Sequence, residues 1–446
     1  MRTPLPELRH GVLTWLVLTV FTCYFNALSG TFQFDDYNVI VDNPAVHSWE
    51  AWLAGLGHGI RPLLKFSYML NWVSGLGSAG FHLANLLIHL CNTYLVYRLV
   101  GEFVNQQSLR KLLCDVPLFA ALLFATHPIH TEAVTYVCGR SASLMLLFFL
   151  AGLLAYVTGR TQHNKIFLYL ITPLLFVLAL SVKETAVTFP FALLAWELCC
   201  GGTWKISFRQ QWSSWVLLLL TALFFLFNED YATQMERSAK LNSLQGNAAT
   251  QLLAFSYLMR QWMLPLWLNI DPDLPLLHDA AGIALPLIFF IALFALMLIC
   301  WRRRPWISFA LAWAMIQLIP LHLFLPRLDI ANDRQTYLVS WPLALALAAE
   351  MAIWLKQKTF ALAGALLLLV SGSLTVLRNQ DYVNEMTLWE VTVKQSPNKA
   401  RVHNNLGYAY MLAKRNEEAQ HEFKAALQLD PLYFKARNNL DRLNDQ

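Results

Sequence analysis

The first candidate for chemistry is an adjacent acidic pair, Asp35-Asp36, shortly after the first long apolar run of the chain. Ionisable groups inside or at the edge of a bilayer are costly, so each is a functional candidate by default. Two neighbouring carboxylates at a membrane face suit a general base or a metal site. A position just after a helix is also typical of an ordinary solvated loop. The spacing alone therefore leaves both interpretations open.

A second candidate is the block 127–132, of sequence His-Pro-Ile-His-Thr-Glu, which interrupts an apolar hairpin and is followed by Gly139-Arg140. Two histidines beside a glutamate can bind a metal ion, but this spacing is not a standard zinc arrangement. We therefore interpret His127, His130 and Glu132 mainly as a hydrogen-bonded wall of a site.

Several cations and their polar neighbours lie at the ends of apolar segments. A cation on the extracytoplasmic face of a membrane core can hold a phosphate, and the two-pronged guanidinium of Arg is well suited to this. Snorkelling or internal ion pairing is the alternative explanation for any one of them. These residues are Arg61, Arg140, Lys183 with Glu184, and Arg334 with Tyr337.

Signatures of several other functions are not found in the sequence. It has no Walker motif, no Gly-x-Gly-x-x-Gly loop and no Gly-x-Ser-x-Gly elbow, so nucleotide-driven transport and serine hydrolysis lose support. The net charge of +5 is spread over short loops, and nucleic acid is therefore not an expected partner. The seven cysteines show neither a disulfide framework nor zinc spacing.

The composition places these candidates in a membrane protein. Hydrophobic residues make up 57% of the 446 and charged residues only 14%, whereas soluble domains carry roughly 25% charged residues. Apolar runs of about 20 residues, long enough to cross a bilayer, recur along most of the chain. They stop near Arg378, where charge returns.

The distribution of Lys and Arg predicts the topology, because short basic loops tend to stay in the cytoplasm. Eleven predicted spans then alternate, with the N-terminus in the cytoplasm and the C-terminus outside. The apolar stretch 250–268 would break this charge pattern, and we interpret it as interfacial or re-entrant. The predicted spans are 11–29, 81–103, 115–130, 139–158, 166–182, 186–200, 212–228, 281–300, 306–325, 336–355 and 359–377.

This topology divides the chain into a membrane domain, 1–377, and a C-terminal module, 378–446. The polar stretches 30–80, 229–280 and 326–335 fall on the extracytoplasmic side together with the module. Polar chemistry is therefore expected on one face of the membrane.

The C-terminal module contains one full tetratricopeptide repeat at about 400–433. Seven of the eight signature positions of this 34-residue repeat are matched, and only His403 departs from the pattern. Partial repeats flank it, which is too little for independent stability, so we expect the module to pack against the extracytoplasmic loops. A generic helical cap and a cradle for an acceptor polypeptide are both compatible with it. The matching residues are Leu406, Gly407, Tyr410, Ala419, Phe423, Ala426 and Pro431.

Taken together, these segments resemble the TMTC family (transmembrane and tetratricopeptide repeat-containing proteins), relatives of the protein O-mannosyltransferases within the GT-C glycosyltransferases. The repeat array is much shorter than in animal members, and the family's Glu-Arg before the tenth span is Asp333-Arg334 here. Both departures fit a bacterial relative. The matching segments are Phe34-Asp35-Asp36 with Asn43, Arg61-Pro62-Leu63 with Ser67, His82 with Asn85 and His89, the block 127–134 with Gly139-Arg140, Lys183-Glu184, and 333–338.

The resemblance implies a GT-C-like, all-α polytopic membrane enzyme. Such enzymes transfer a sugar from a polyprenyl-phosphate donor to a hydroxyl outside the cytoplasm. The acceptor here could be a protein Ser or Thr, another glycan or a lipid, and the repeat module favours a polypeptide. By similarity, Asp35 is the base, and Asp36 supports it or holds the acceptor or a divalent metal, the one cofactor to be considered. Attack assisted by a single base predicts inversion at the anomeric carbon.

The remaining site residues are assigned on the same resemblance. Cations would bind the departing donor phosphate, and the other polar residues would shape the sugar and acceptor pocket. The phosphate candidates are Arg334, Arg61, Arg140 and Lys183, and the pocket candidates are His127, His130, Glu132, Glu184 and Tyr337.

Two other functions compete with the enzyme. A non-catalytic scaffold would use the helical repeat to recruit a partner. A polytopic transporter would carry charged residues in mid-span, whereas the polar clusters here lie at span edges. The expected location is a bacterial inner membrane, or the endoplasmic reticulum membrane if the source is eukaryotic.

Overall fold

The computed structural model describes residues 10–57, 60–107, 115–228, 233, 236, 244–277, 280–319 and 329–445, and every regular element in these ranges is helical. Parts of several predicted segments lie outside the described residues. In the short basic loops these parts are 2–9 and 108–111. In the polar stretches they are 58–59 of 30–80, then 229–232, 234–235, 237–243 and 278–279 of 229–280, and 326–328 of 326–335. Residues 320–325 of span 306–325 and residue 446 of the module complete the list.

Within the described ranges, fifteen α-helices form the predicted membrane domain. They are α1 (His10–Tyr24), α2 (Trp49–Ala54), α3 (Pro62–Val73), α4 (Gly77–Asn105), α5 (Val116–Thr126), α6 (Thr131–Val134), α7 (Arg140–Gln162), α8 (Thr172–Val182), α9 (Phe189–Cys199), α10 (Trp204–Phe227), α11 (Leu244–Met263), α12 (Ala280–Cys300), α13 (Pro305–Leu318), α14 (Ser340–Trp354) and α15 (Gln357–Gln380).

Six described helical segments are long and apolar enough to cross a membrane, which makes the chain a multi-pass membrane protein. Four further apolar helices are shorter. The count of eleven spans therefore stays a prediction, and α11, in the stretch interpreted as interfacial, is not among the six. The six are Gly11–Ser29, Gly77–Asn105, Val137–Gln162, Ser207–Phe227, Gly282–Cys300 and Gln357–Gln380.

Proline explains why the predicted span 115–130 is shorter in the structure. His127 precedes Pro128 and has extended backbone, with φ −72° and ψ 122°, so α5 ends at Thr126. A single 3₁₀ turn, Pro128–His130, and the four-residue α6 follow. The polar block is thereby placed in a short irregular connection at the end of a membrane helix.

Buried polar side chains on one face of α4 hold the connections in place. His82, Asn85, His89 and Asn92 follow helical spacing and are all at most 1% exposed. The Nδ2 atom of Asn85 donates to the carbonyl oxygen of Val134 at 3.1 Å. A long membrane helix thus fastens the turn that follows α6.

The same face of α4 also reaches two other parts of the chain. His82 Nε2 lies 3.1 Å from the carbonyl oxygen of Gly30, in the segment after α1. His89 Nδ1 lies 2.7 Å from the hydroxyl of Tyr337, in the 3₁₀ helix Asp333–Leu338. Three connections distant in sequence are therefore fixed by one helix.

The C-terminal module consists of four helices, and its repeat packs as the pattern predicts. A Cβ atom on Gly407 would lie 2.7 Å from the ring of Phe423, so the glycine permits the close approach of the second and third helices. The helices are α16 (Glu385–Gln395), α17 (Ala400–Leu412), α18 (Asn416–Leu429) and α19 (Phe434–Asn444).

Charged contacts fasten the module to loops of the membrane domain. Lys399 Nζ lies 2.6 Å from Asp271 Oδ1, and Arg401 contacts both Asp271 and Asp329 at 2.5 Å. The ring of Phe34 packs edge-on against Trp389 at 5.1 Å between centroids. The module therefore packs against these loops, and their location outside the cytoplasm stays a prediction.

Gly139→Ala should lower the thermal stability of the protein. A Cβ atom there would overlap the backbone of Glu132 and Ala133, and overpacking of this kind costs about 1–3 kcal/mol. Thermal unfolding of the purified protein in detergent would measure the change. Gly101→Ala, in α4 with no atom within 4 Å of the new Cβ, is the matched control and should be neutral or stabilising. Equal midpoints for the two variants would contradict the packing described.

Candidate active site

Asp36 joins the segment after α1 to the turn before α7. Its carboxylate is fully buried and accepts hydrogen bonds from the backbone N–H groups of Gln33, at 3.0 Å, and Cys138, at 2.9 Å. Burial raises the pKa of Asp36 to about 7, against the opposing effect of these hydrogen bonds. Since both carboxylate oxygens are engaged by the backbone, this geometry favours a positioning role for Asp36 over metal or acceptor binding.

Asp35 points into a different environment. It is half-buried, its N–H donates to the hydroxyl of Tyr136 at 3.1 Å, and its carboxylate also interacts with that hydroxyl. Burial raises the pKa of Asp35, and the positive charge of Arg334 partly offsets this. The preceding residue, Phe34, has a left-handed backbone with φ 49°. Strain of this kind is common beside functional groups, because only a constrained surrounding structure maintains it.

Arg334 is held by Glu132 through two contacts. Its backbone N–H donates to Glu132 Oε2 at 2.9 Å, and its Nε lies 3.4 Å from Glu132 Oε1. The Glu132 side chain is 1% exposed and that of Arg334 is 17% exposed. Burial by itself would lower the pKa of Arg334, but Glu132 together with Tyr136, Asp329 and Asp35 outweighs burial and raises the pKa. Arg334 therefore stays charged at a partly open position.

A small pocket lined by Glu132 and Arg334, and by Phe34 next to Asp35, lies at the contact with the C-terminal module. Its volume is about 10 Å³, room for about one water molecule. A sugar could enter only if the lining moved apart. The lining residues are Phe34, Glu132, Tyr136, Ile270, Asp271, Asp329, Arg334, Trp389 and Arg401.

The two histidines of the 127–132 block lie behind this pocket rather than in its lining. His127 is stacked on Trp262, with 5.4 Å between ring centroids, and its Nε2 is 3.0 Å from the Trp262 carbonyl oxygen. His130 is fully buried with its Nδ1 2.8 Å from the Phe124 carbonyl oxygen, and its ring packs edge-on against Tyr337. These three predicted pocket residues therefore support the wall from inside the protein.

The guanidinium of Arg140 donates hydrogen bonds to acceptors inside the protein. Its Nε donates to Asn85 Oδ1 at 2.6 Å, and its terminal nitrogens donate to the carbonyl oxygens of Phe81 and Ser67. The side chain is 1% exposed. This geometry gives no support to its prediction as a phosphate ligand and instead indicates a role in joining α3, α4 and α7.

Arg61 and Glu184 form a second polar cluster. Arg61 donates to both carboxylate oxygens of Glu184, at 2.9 and 2.8 Å, in the two-pronged geometry that makes such pairs strong. Lys183, the neighbour of Glu184, is buried. Arg61 also lines a largely apolar cavity of about 370 Å³ between α3, α8 and α10. The predicted cations are thus divided between this cluster, the Arg334 pocket and the interior.

The acidic pair and the histidine block are the two segments with the residue types of a metal site. Within the described ranges, no group of three or more His, Cys, Asp and Glu side chains is arranged to hold a metal ion. A metal on Asp36 stays a prediction.

Comparison with known proteins supports the resemblance inferred from the motifs. A family model described as tetratricopeptide repeat matches residues 400–433. The chain is 26% identical to the protein O-mannosyl-transferase TMTC3 of Mus musculus, over 98% of this chain and 53% of that protein. It is 25% identical to the protein O-mannosyl-transferase TMTC1 of Homo sapiens, over 94% of this chain and 55% of that protein. The protein O-mannosyl-transferase F38B6.6 of Caenorhabditis elegans is 24% identical, over 95% of this chain and 64% of that protein.

The resemblance to the TMTC family is confirmed. The chain spans about half the length of most of the curated relatives it matches. No solved structure matches it significantly.

Several residues at the pocket that Arg334 lines were not among the sequence candidates. Tyr136, Asp329 and Arg401 contact or surround Asp35 and Arg334. Asp329 lies within the polar stretch 326–335, which was a usable signal. Arg401 lies in the repeat but at none of its signature positions, and Tyr136 is uncharged, so neither could be connected to the acidic pair without the fold.

Asp36 should make stability depend on pH. A carboxyl whose pKa is raised by folding stabilises the protein most below its unfolded pKa of about 4, and this stability is lost as pH rises toward the folded pKa of about 7. Thermal midpoints of the detergent-purified protein should therefore fall between pH 5 and pH 8. Asp36→Asn, which cannot ionise, should flatten this dependence. If Asp36→Asn left the pH dependence of the thermal midpoint unchanged, that dependence would belong to other groups.

Proposed function

We propose that this chain is a membrane glycosyltransferase that moves a sugar from a polyprenyl-phosphate donor to a hydroxyl of a polypeptide. The observation that supports this most is the juxtaposition of Asp35, a half-buried carboxylate, with Arg334, a partly exposed guanidinium. The names of the relatives, protein O-mannosyl-transferases, point to the same reaction class. A scaffold would not require a desolvated carboxylate that interacts electrostatically with a partly exposed guanidinium.

The proposed reaction is one displacement. Asp35 accepts the proton of the acceptor hydroxyl while the oxygen of that hydroxyl forms a bond to the anomeric carbon of the sugar. The bond from that carbon to the phosphate oxygen breaks, and polyprenyl phosphate leaves with the electron pair. Attack opposite to the leaving group inverts the anomeric configuration. Because a phosphate ester is already a good leaving group, no strong general acid is needed.

Arg334 is the residue we assign to the departing phosphate. Since Glu132 is approached through Nε, the terminal nitrogens of Arg334 can form a two-pronged contact with phosphate oxygens. A fixed cation at the position where negative charge develops lowers the barrier more than a mobile one. We assign Arg61, with Glu184, to a secondary role near the membrane-facing cavity.

We further propose that the pocket and the module lie on the extracytoplasmic face, with the N-terminus in the cytoplasm. The small volume of the pocket means that donor binding displaces part of its lining. Trp389 and Arg401 belong to the C-terminal module, and their separation from Glu132 and Arg334 would open the site.

Asp35→Asn should reduce sugar transfer at least about a hundredfold, because the amide cannot accept the hydroxyl proton. Purified protein in detergent would be incubated with radiolabelled polyprenyl-phosphate hexose and a host extracytoplasmic extract. Asp273→Asn, an exposed carboxylate in the loop after α11, is the matched control and should transfer at the wild-type rate. Equal transfer by wild type and Asp35→Asn would remove Asp35 as the base. No transfer by wild type from a panel of lipid-linked sugars would favour the scaffold.

The rate of sugar transfer should rise with pH as Asp35 ionises, and this rise should lie above the usual carboxyl pKa of about 4. The reason is that burial raises the pKa of Asp35 and only its ionised form accepts a proton. Arg334→Gln removes the positive charge that favours the ionised carboxylate, so the rise of the rate should move to higher pH. The measurement is the pH profile of kcat/KM, recorded for wild type and for the residual activity of the variant. A rise at the usual carboxyl pKa in both proteins would contradict the proposed environment.

A further inference from the structure

Two helical connections meet at one end of the membrane domain, the one between α12 and α13 and the one between α14 and α15. The segments around them, 300–306 and 350–358, contain five cations and a single carboxylate, that of Glu350. The proposed sugar transfer uses none of these residues. The five cations are Arg302, Arg303, Arg304, Lys356 and Lys358.

A cluster around Glu350 joins the two connections. The carboxylate accepts hydrogen bonds from Arg304 Nη1 at 3.1 Å, from Trp306 Nε1 at 2.7 Å and from Trp354 Nε1 at 3.0 Å. The guanidinium of Arg304 also lies over both indole rings, 5.9 Å from the centroid of Trp306 and 5.7 Å from that of Trp354. Because Arg304 precedes α13 and Trp354 ends α14, these contacts hold the two connections beside each other.

The other four cations have no counter-charge of their own. Glu350 is already engaged by Arg304 and by two indole N–H groups. The four side chains are exposed, and none of them forms an ion pair with another described residue. The helix ends do not decide the sign of the local charge, because α12 and α14 end here while α13 and α15 begin here. We call these four residues the basic corner: Arg302, Arg303, Lys356 and Lys358.

The basic corner lies at the end of one membrane-crossing segment and at the start of another. These segments are Gly282–Cys300 and Gln357–Gln380, and only 11% and 28% of their apolar windows are buried inside the protein. Near the basic corner, Ile299 is 75% exposed and Leu362 is 74% exposed. Trp354, also 74% exposed, is of a residue type enriched where a membrane meets water. Outward-facing apolar surface therefore continues directly into the four cations.

Cations next to lipid-facing apolar surface are complementary to an amphiphile with a negative headgroup. A soluble anion would contact the cations alone, and a neutral lipid would leave their charge uncompensated. Phosphate oxygens accept hydrogen bonds from both guanidinium and ammonium groups, which are the two kinds of cation present. Every bilayer lipid can cover apolar side chains, so selectivity here has to come from the headgroup.

This location is separate from the candidate active site. Arg334 precedes α14, and Trp354 is the last residue of that 15-residue helix. The two places therefore lie at opposite ends of α14, about 22 Å apart along its axis. A lipid bound at the basic corner would not compete with a donor phosphate at Arg334.

We propose that the basic corner binds one anionic phospholipid of the bilayer, with its phosphate held by cations of both connections and its acyl chains along α12 and α15. The inference does not depend on the proposed glycosyltransferase function. The bound phosphate would offset the repulsion among four like charges and join the two connections, so the lipid should stabilise the folded protein.

Native mass spectrometry of the full-length protein in detergent would measure binding. The probe is phosphatidylglycerol, compared with phosphatidylcholine of the same acyl chains, and wild type should retain one phosphatidylglycerol in preference. Arg303→Gln with Lys358→Gln should weaken this binding about thirtyfold, the effect of losing two cations at a lipid headgroup. Lys165→Gln with Arg209→Gln removes the same two kinds of exposed charge from other basic connections, and this matched control should bind as wild type does.

A charge-preserving variant separates loss of charge from damage to the fold. Arg303→Lys with Lys358→Arg keeps both charges and should bind phosphatidylglycerol within a few-fold of wild type. Equal weakening in the control pair at 165 and 209 would show a diffuse attraction to all basic connections and overturn the site. Wild-type affinity in the neutral variant of the basic corner would overturn it too, as would equal weakening in the neutral and charge-preserving variants.

Two further ligands identify what the basic corner recognises. Phosphatidylglycerol should raise the thermal midpoint of wild type by a few degrees, whereas glycerol 3-phosphate, which has the phosphate without acyl chains, should not. Equal stabilisation by both would assign the cations to a soluble phosphate and overturn the lipid site. Displacement of the bound phosphatidylglycerol by an equimolar amount of polyprenyl phosphate would assign the basic corner to the lipid of the sugar donor and overturn the proposal as well.

Discussion

The ion pair between Glu132 and Arg334 controls the electrostatics of the candidate site. Both side chains are largely withdrawn from water, where an unpaired charge is expensive, and removing one partner of such a pair typically costs about 3–5 kcal/mol. The pair joins the connection after α5 to the segment before α14, which are 202 residues apart. It also keeps a positive charge near Asp35, which limits the rise in the pKa of that carboxyl. The base and the cation therefore cannot be understood separately.

Hydrogen bonding around the pair follows from the shortage of water at the ends of membrane helices. Backbone groups in irregular connections have to find partners within the protein. Asn85 meets the turn after α6, His82 meets Gly30, and Asp36 meets the N–H of Cys138. These side chains look catalytic in the sequence because they are polar and adjacent to apolar runs. In the structure they hold in place the connections that carry Asp35 and the residues lining the pocket.

The sequence was informative where a signal is local and less so where it depends on distant contacts. Composition, apolar periodicity and the repeat signature predicted a helical membrane protein with a tetratricopeptide module. The acidic pair and Arg334 could be named because charge at a span edge is costly. Sequence reasoning could not distinguish the buried Arg140 from the partly exposed Arg334, since both are arginines at a helix boundary. Nor could it connect Arg401 with Asp329, because that contact requires the module to be docked.

Docking of the module gives the pocket one of its walls, and this bears on how a membrane enzyme could select a polypeptide. Arg401 and Lys399 are fixed to Asp271 on one side, while Phe34 packs on Trp389 on the other. The wall is therefore connected both to the loops of the membrane domain and to the other helices of the module. A ligand that shifts those helices would also shift Trp389 and Arg401, and so change the size of a pocket that is closed to a sugar in this structure. Binding of the acceptor and opening of the donor pocket would then be linked by the same few contacts, which would keep the base and the cation shielded from water until both substrates are in place.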